Sequence, residues 1–252
     1  MRLAGKVALV TGAGRGFGKG IATLFAAEGA LLAAADIDGE AAGRVAAEIT
    51  MAGGAALAVA GDVSRDGDVA AMVAGALERY GRLDIVVNNA GTTHRNRPML
   101  EVDEAEFQRV FDVNVKSVYL SARHAVPVFR RQGGGVMVNI ASTAGVRPRP
   151  GIVWYSATKG AVITMSKAMA LELAPERIRV VAVNPVISAT HLLPAFLPGE
   201  DTPETRRKMI DTIPLGRMST PLDVARACLF LASDEADLLT GCCLDVDGGR
   251  CV

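Results

Sequence analysis

Tyr155 and Lys159 are the residues of this chain best suited to moving a proton. Side chains four apart lie on one face of a helix, so a phenol and an ammonium at this spacing are neighbours. Tyr80 and Tyr119 have no lysine four residues on, which leaves Tyr155 as the single tyrosine of this type. A free tyrosine titrates at ~10 and holds its proton at neutral pH. A nearby cation favours the phenolate, and lowering the pKa by ~3 units takes about 4 kcal/mol of differential stabilisation.

A second group of residues lies upstream. Thr11 to Gly18 reads T-G-A-G-R-G-F-G, between a strand pattern and a helix pattern. Glycines at Gly12, Gly16 and Gly18 allow a tight turn and close approach of a pyrophosphate. The N-terminus of the following helix offers unpaired N–H groups and a positive dipole. Asp36 ends the second strand pattern, where a carboxylate can accept from both hydroxyls of an adenosine ribose. A 2′-phosphate there would meet like charge, a repulsion of roughly 4 kcal/mol at ~4 Å and an effective dielectric of about 20. The residues therefore point to NAD rather than NADP. Arg15 is a phosphate-binding candidate that pulls the other way, and Asp38 is either further negative charge or a helix cap.

These groups need elements to hold them. Strand patterns at Val7–Thr11, Leu31–Asp36, Ala55–Gly61, Leu83–Asn88, Val136–Ile140, Arg179–Asn184 and Cys243–Val246 alternate with helical ones. The latter include Phe17–Glu28, Gly39–Met51, Asp66–Tyr80, a long helix containing Asn114, and the Tyr155 helix. Strand–helix alternation requires parallel pairing through right-handed crossovers. The expected fold is α/β: one Rossmann-type domain over residues 1–252, a doubly wound parallel sheet with helices on both faces. Ligands then bind beyond the strands' C-terminal ends. Asp62 and Val63 follow the third strand, where the carboxylate either takes an adenine amino group or caps the next helix. Asn88-Asn89-Ala90-Gly91 ends the fourth strand; small residues admit a cofactor, and asparagines can tie loops together. Residues 186–217 hold four of the eleven prolines, apolar first and charged later, and read as a lid over the substrate.

Composition narrows the class. Of 252 residues half are hydrophobic and 4% aromatic, which suits aliphatic strands buried on both faces. Lys plus Arg and Asp plus Glu are 27 each, so no basic excess suggests nucleic acid or an anionic membrane as partner. Cys228, Cys242, Cys243 and Cys251 form no C-x-x-C pair and read as small hydrophobes in a reducing compartment. The strand pattern from Val7 leaves no leader, and no apolar run reaches the ~20 residues of a membrane span. The expectation is a cytoplasmic protein. His124 and His191 have no metal-ligand spacing, so no metal is expected.

Taken in order, T-G-x-x-x-G-x-G at Thr11–Gly18, N-N-A-G at Asn88–Gly91, Ser142, Y-S-A-T-K at Tyr155–Lys159 and T-G-C-C-L-D-V-D-G-G at Thr240–Gly249 resemble the short-chain dehydrogenase/reductase (SDR) family. The resemblance covers nearly the whole chain. It implies that Tyr155 gives a proton to a carbonyl or takes one from an alcohol, and that Ser142 positions the substrate oxygen. It further implies that Lys159 binds the nicotinamide ribose and lowers the tyrosine pKa, and that Asn114 supports a water-linked proton relay with Lys159. The expected cofactor set is Gly12, Arg15, Gly16, Phe17, Gly18, Asp36, Ile37, Asp62, Val63, Asn89, Ala90, Gly91, Tyr155, Lys159, Pro185, Val186, Ile187 and Thr190. One departure stands out: the family usually continues the Asn184-Pro185 pair with Gly, whereas this chain has Val186, which resists positive φ and narrows the site.

The expected substrate wall is His94, Ser142, Thr143, Ala144, Trp154, Val186, Leu192 and Phe196, with Ile187 beside it; His94 faces either substrate or solvent. This mostly apolar wall suits a small secondary alcohol or ketone, in an NAD-dependent alcohol dehydrogenase or carbonyl reductase. Two other readings stay open. An NADPH-dependent 3-oxoacyl carrier-protein reductase would need a basic patch, for which Arg95, Arg97, Arg147 and Arg149 are candidates. A non-catalytic dinucleotide sensor would not need the Ser142, Tyr155 and Lys159 set. The family resemblance implies a homotetramer, and Ala157, Ala161, Met165, Ala168 and Met169 supply an apolar run on the Tyr155 helix.

Overall fold

The computed structural model describes residues 1–252. Seven strands form one sheet in the order β3-β2-β1-β4-β5-β6-β7. They are β1 (Val7–Thr11), β2 (Leu31–Asp36), β3 (Ala55–Ala60), β4 (Ile85–Asn88), β5 (Gly135–Ile140), β6 (Ile178–Pro185) and β7 (Cys243–Val246). Every pairing is parallel. The helices are α1 (Gly16–Ala27), α2 (Gly39–Met51), α3 (Asp66–Tyr80), α4 (Glu104–Phe111), α5 (Ser117–Gln132), α6 (Val153–Leu173), α7 (Leu193–Phe196), α8 (Pro203–Ile210) and α9 (Pro221–Ala232).

Successive residues of a strand face opposite sides of the sheet, and here both sides are dry. Ala8, Val10, Leu32, Ala34, Ile85, Val87, Val138 and Ile140 pack with Ile21 and Phe25 of α1, Val45 and Ile49 of α2 and Val224 and Leu229 of α9. Val7, Leu9, Ala33, Ala35, Val86 and Met137 pack on the other side with Met72 and Val73 of α3, Phe129 of α5 and Ala170 of α6. β1 and β4 are buried throughout, whereas the edge strands β3 and β7 have no fully buried position. Strand order reverses between β1 and β4, so the loops after these two strands diverge and leave a crevice at their C-terminal ends.

Polar residues lock this end of the sheet. Asn88 Nδ2 donates to Asn139 Oδ1 at 2.7 Å, and Asn139 Nδ2 donates to Ser166 Oγ at 2.9 Å, tying β4, β5 and α6 in the interior. Asn89 Nδ2 donates to the carbonyls of Thr11 and Gly12, joining the loops on either side of the crevice.

The expected long helix around Asn114 runs unbroken through α4 and α5. A single π turn at Asp112–Lys116 joins α4 to α5 and carries Asn114, which is buried. An asparagine in a helix interior competes for backbone partners, and a π turn inside a longer helix often marks a functional site. The 186–217 segment contains α7 and α8 and returns to the body through a bridge between Ser188 and Ser219. No helix is long and apolar enough to cross a membrane.

Candidate active site

A cavity of about 1050 Å³ runs along the C-terminal ends of the strands. One end is built by the glycine-rich turn. Gly16 opens α1 with φ 54°, a conformation glycine adopts without strain, and lines the cavity with Gly12, Arg15 and Phe17. The first turn of α1 has neither a side-chain cap nor an acidic residue, so its free N–H groups are available to an anion. Gly18 differs from the expectation: it does not line the cavity. A Cβ there would lie 2.0 Å from the Gly12 carbonyl oxygen, so this glycine serves close packing of helix on turn.

Asp36 faces the cavity from the end of β2 and is 7% exposed. Its Oδ2 accepts from Gly14 N at 2.8 Å and its Oδ1 from Asp38 N at 2.9 Å, which fixes the carboxylate while leaving lone pairs on both oxygens. Asp38 caps α2 by accepting from Ala41 N, and its other oxygen pairs with Arg15 at 3.2 Å. Arg15 is therefore matched by a carboxylate before any ligand arrives. Ile37 is 72% exposed on the cavity wall, with Asp62 and Val63 opposite the same end. Asp62 Oδ1 accepts from Ser64 N and Oγ, closing a local turn; it does not cap α3, whose cap residue Arg65 makes no side-chain bond. Asn89, Ala90 and Gly91 continue the lining toward the other end. Glycine-rich backbone, uncapped helix start and fixed Asp36 together fit a dinucleotide, with phosphates against α1 and a ribose at Asp36.

At the other end Ser142, Tyr155 and Lys159 converge on the same cavity. Ser142 stands just beyond β5, where its Oγ accepts from Ala144 N at 3.1 Å. Tyr155 enters from the first turn of α6, one turn before Lys159. Burial pushes the Tyr155 phenol up to about 12, while the Ser142 hydroxyl and then the Arg149 charge pull the other way. Burial pushes the Lys159 ammonium down to about 8. Its Nζ donates to the Ile140 carbonyl at 2.8 Å. Burial thus opposes the charged form of both groups.

Asn114 lies close to this group without touching the lysine. Its Oδ1 accepts from Thr92 N, and its Nδ2 donates to Thr92 O and to Thr158 Oγ1. Gly91 sits between them: a Cβ there would lie 3.4 Å from Asn114 Oδ1 and 3.6 Å from Lys159 Nζ.

Pro185, Val186, Ile187, Thr190, Leu192, Phe196, Thr143 and Ala144 line the cavity as expected, so the 186–217 excursion forms one of its walls. Val186 does not adopt a positive φ, so the residue that replaces the usual glycine fits the loop without strain. It is buried, lines the cavity and receives Ser219 Oγ on its carbonyl. Two expected wall residues lie elsewhere. His94 is 1% exposed, facing neither substrate nor solvent, with Nδ1 2.8 Å from the Arg95 carbonyl. Trp154 points away from the cavity, donates to the Met99 carbonyl and packs edge-on against Phe107. Neighbouring residues of a helix diverge by about 100°, so Tyr155 in the site carries Trp154 out of it.

The sequence reading missed several cavity residues: Ile152, His191, Met209, Thr212 and Arg250. It placed Arg147 and Arg149 on a docking surface, whereas both line the cavity. Arg250 and Met209 arrive from distant parts of the chain, so no local pattern marks them. The cysteines are free; burial is the main cause raising their thiols, which makes them poor nucleophiles.

Comparison with known proteins agrees with this geometry. A family model described as enoyl-(acyl carrier protein) reductase matches residues 12–250. The chain is 54% identical to 4-formylbenzenesulfonate dehydrogenase of Comamonas testosteroni over 250 residues, 99% of each protein. It is 38% identical to a 3-oxoacyl-[acyl-carrier-protein] reductase of Thermotoga maritima, again over 99% of each. A crystal structure of a 3-ketoacyl-(acyl-carrier-protein) reductase from Brucella melitensis complexed with NADH superposes with a TM-score of 0.93 at 49% identity, covering 99% of this chain and 100% of that one. The doubly wound sheet, the glycine-rich turn and the Ser142, Tyr155 and Lys159 group are those of the short-chain dehydrogenase/reductase family, and this chain belongs to it.

Proposed function

We propose that this chain is an NAD(H)-dependent oxidoreductase that interconverts an alcohol and its carbonyl compound on a small molecule. The observation that carries the reading is the convergence of Ser142, Tyr155 and Lys159 on a cavity continuous with Asp36. When bound, the nicotinamide supplies hydride to the carbonyl carbon or accepts it from the carbinol carbon. Tyr155 gives its hydroxyl proton to the carbonyl oxygen in reduction and takes it back in oxidation. A phenol held near 12 in the free protein is a protonated donor at neutral pH. Ser142 holds the substrate oxygen against that hydroxyl. Lys159 binds the nicotinamide ribose, and its depressed pKa suits a group that passes protons near pH 8. Asn114 holds the Thr92 loop and α6 in register, and supports a water-linked relay to Lys159.

The preference for NAD rests on Asp36, aimed into the cavity, and on Arg15, already paired with Asp38. The NADH complex of the Brucella melitensis relative supports the same choice. The Comamonas testosteroni relative, by its name, acts on a formyl arene sulfonate, which supports a small free substrate. A second reading, NADPH-dependent 3-oxoacyl carrier-protein reduction, draws on the names of the other two relatives and on the arginines at the cavity. The 186–217 segment is assigned as a lid. Four free thiols support a reducing, cytoplasmic setting.

The test measures oxidation of NADH and of NADPH, separately, against aldehydes, ketones, sugars and a 3-oxoacyl thioester. Turnover of small carbonyls with NADH is expected. Turnover of the thioester with NADPH alone would replace this reading with carrier-protein reduction. Tight NADH binding without turnover of any carbonyl would favour a dinucleotide sensor.

A further inference from the structure

The cavity lining holds guanidinium groups without carboxylate partners. These are Arg109, Arg147, Arg149 and Arg250. The acidic residues of the lining are placed elsewhere: Asp36 and Asp62 stand at the ribose end, and Asp112 is 3.8 Å from Lys116. Arg109 is engaged with Thr92 Oγ1 and the Thr93 carbonyl, and Arg147 donates to the Arg250 carbonyl. The Arg250 guanidinium makes no hydrogen bond, and Arg149, half-buried, is the one of the four whose charge acts on Tyr155. The contacts of Arg149 are the Phe196 carbonyl at 3.2 Å and the thioether of Met209 at 3.2 Å, a weak acceptor. A guanidinium carries five N–H donors in a planar fork, so most of those on Arg149 have no protein acceptor.

The surroundings of the tyrosine are apolar. Ala144, Ile152 and Tyr155 form a small buried cluster with Phe196 against it, and the rings of Tyr155 and Phe196 meet edge-on at 4.9 Å. Phe196 thus links Tyr155 and Arg149: its ring touches the catalytic tyrosine while its carbonyl holds the arginine. A ligand seated here would have a polar oxygen at Ser142 and Tyr155, a flat apolar body along Ile152 and Phe196, and a far end facing Arg149. Half-burial of an unpaired arginine costs free energy unless an anion completes it.

We propose that Arg149 is a specificity residue that binds an anionic oxygen group, a carboxylate or a sulfonate, at the end of an apolar or aromatic substrate opposite its carbonyl. Carboxylate and sulfonate both present oxygens that accept the parallel N–H pair of a guanidinium, and such charge-assisted pairs are the strong ones. Arg147 and Arg250 add positive potential at the mouth and draw the anion in. The inference rests on the carbonyl–alcohol reading above and names the class of molecule it acts on.

The experiment titrates benzoate, benzenesulfonate and neutral benzamide into the protein–NADH complex by calorimetry, with the unaltered protein, Arg149→Gln and Arg149→Lys. NADH affinity of each protein, measured first, reports that it is folded. The unaltered protein is expected to prefer one of the two anions over benzamide by at least about tenfold, the worth of one charge-assisted hydrogen bond. Arg149→Gln is expected to bring that ratio close to one, and Arg149→Lys to keep part of it. Whichever anion binds more tightly names the group. A ratio near one in the unaltered protein, or a ratio that survives in Arg149→Gln, overturns the inference. So does a protein that binds neither anion yet reduces a 3-oxoacyl carrier protein in preference to the free thioester, since the arginines would then serve macromolecular docking. Failure to oxidise NADH with any carbonyl counts against the proposed function instead, and leaves the binding ratio to judge Arg149.

Discussion

Lys159 Nζ lies 5.7 Å from the centre of the Tyr155 ring, and its proton is directed to the Ile140 carbonyl rather than to the phenol. The two groups share a helix face but burial shifts them in opposite directions, the lysine down to about 8 and the tyrosine up to about 12. For a lysine whose folded pKa falls below the unfolded value of 10.5, the fold carries a charging cost below pH 8. That cost is relieved as pH rises from 8 to 10.5, where the unfolded chain binds the extra proton.

Lys159→Met is therefore expected to abolish turnover and stabilise the protein. The shift corresponds to about 3 kcal/mol, offset by about 1–2 kcal/mol for the bond lost by Ile140. Thermal unfolding at pH 7 should rise by a few degrees, with the gain fading above pH 8. A variant less stable than the unaltered protein at pH 7 would contradict the assignment of a costly buried ammonium.

Asp36 is expected to select the cofactor. Asp36→Ser removes the charge that repels a 2′-phosphate and leaves a small hydroxyl near Gly14 N. The ratio of NADPH to NADH affinity should rise by about tenfold or more, each factor of ten being 1.4 kcal/mol. The outcome that counts against Asp36 is an unchanged ratio in a variant that still binds NADH. Loss of the acceptor for Gly14 N should also weaken both affinities through the turn.

The Asn88, Asn139 and Ser166 chain makes a stability prediction at a position remote from solvent, since Asn139 is 0% exposed. Asn139→Leu leaves Asn88 Nδ2 without its acceptor and Ser166 Oγ without a donor partner. A loss of about 2–4 kcal/mol is expected in denaturant unfolding. A loss below about 0.5 kcal/mol would show that the chain is not a structural tie.

The outer side of α6 makes a prediction about assembly. Ala157 and Ala168 are exposed, Leu171 is 83% exposed on the same helix, and Tyr119 on α5 is 53% exposed. Ala161, Met165 and Met169, from the same apolar run, are partly covered by the chain itself. A small-residue helix face with large apolar residues open to water suits subunit packing. Sedimentation at micromolar concentration is expected to show a tetramer, and Leu171→Glu to shift it toward smaller species. A monomer in the unaltered protein would refute the assembly.

Much of this was legible from residue order. The strands repeat a parallel, doubly buried pattern, so Val7–Thr11 and Leu31–Asp36 appear at the expected positions. Tyr155, Lys159, Ser142 and Asp36 also reach one cavity: Asp36 ends β2, Ser142 follows β5, and Tyr155 and Lys159 share a face at the start of α6. What was not legible depended on tertiary direction. Trp154 precedes the key tyrosine yet leaves the site because the helix rotates it away. His94 follows the N-N-A-G turn but is drawn inside by a local bond to Arg95. Asn114 sits in a π turn that no apolar period announces. Gly18, for all its place in the motif, packs against the Gly12 backbone and does not line the cavity. Arg149 and Arg250 are separated by most of the C-terminal half and meet only in the folded cavity.

The most direct test of the central claim is single-turnover oxidation of bound NADH by a carbonyl substrate, compared between the unaltered protein and Tyr155→Phe after NADH affinity has been measured for both. The account predicts NADH affinity within about threefold and a chemical step slowed by about 10²–10⁴-fold, the usual contribution of a positioned acid. A Tyr155→Phe protein that oxidises NADH at close to the unaltered rate would contradict Tyr155 as the proton donor.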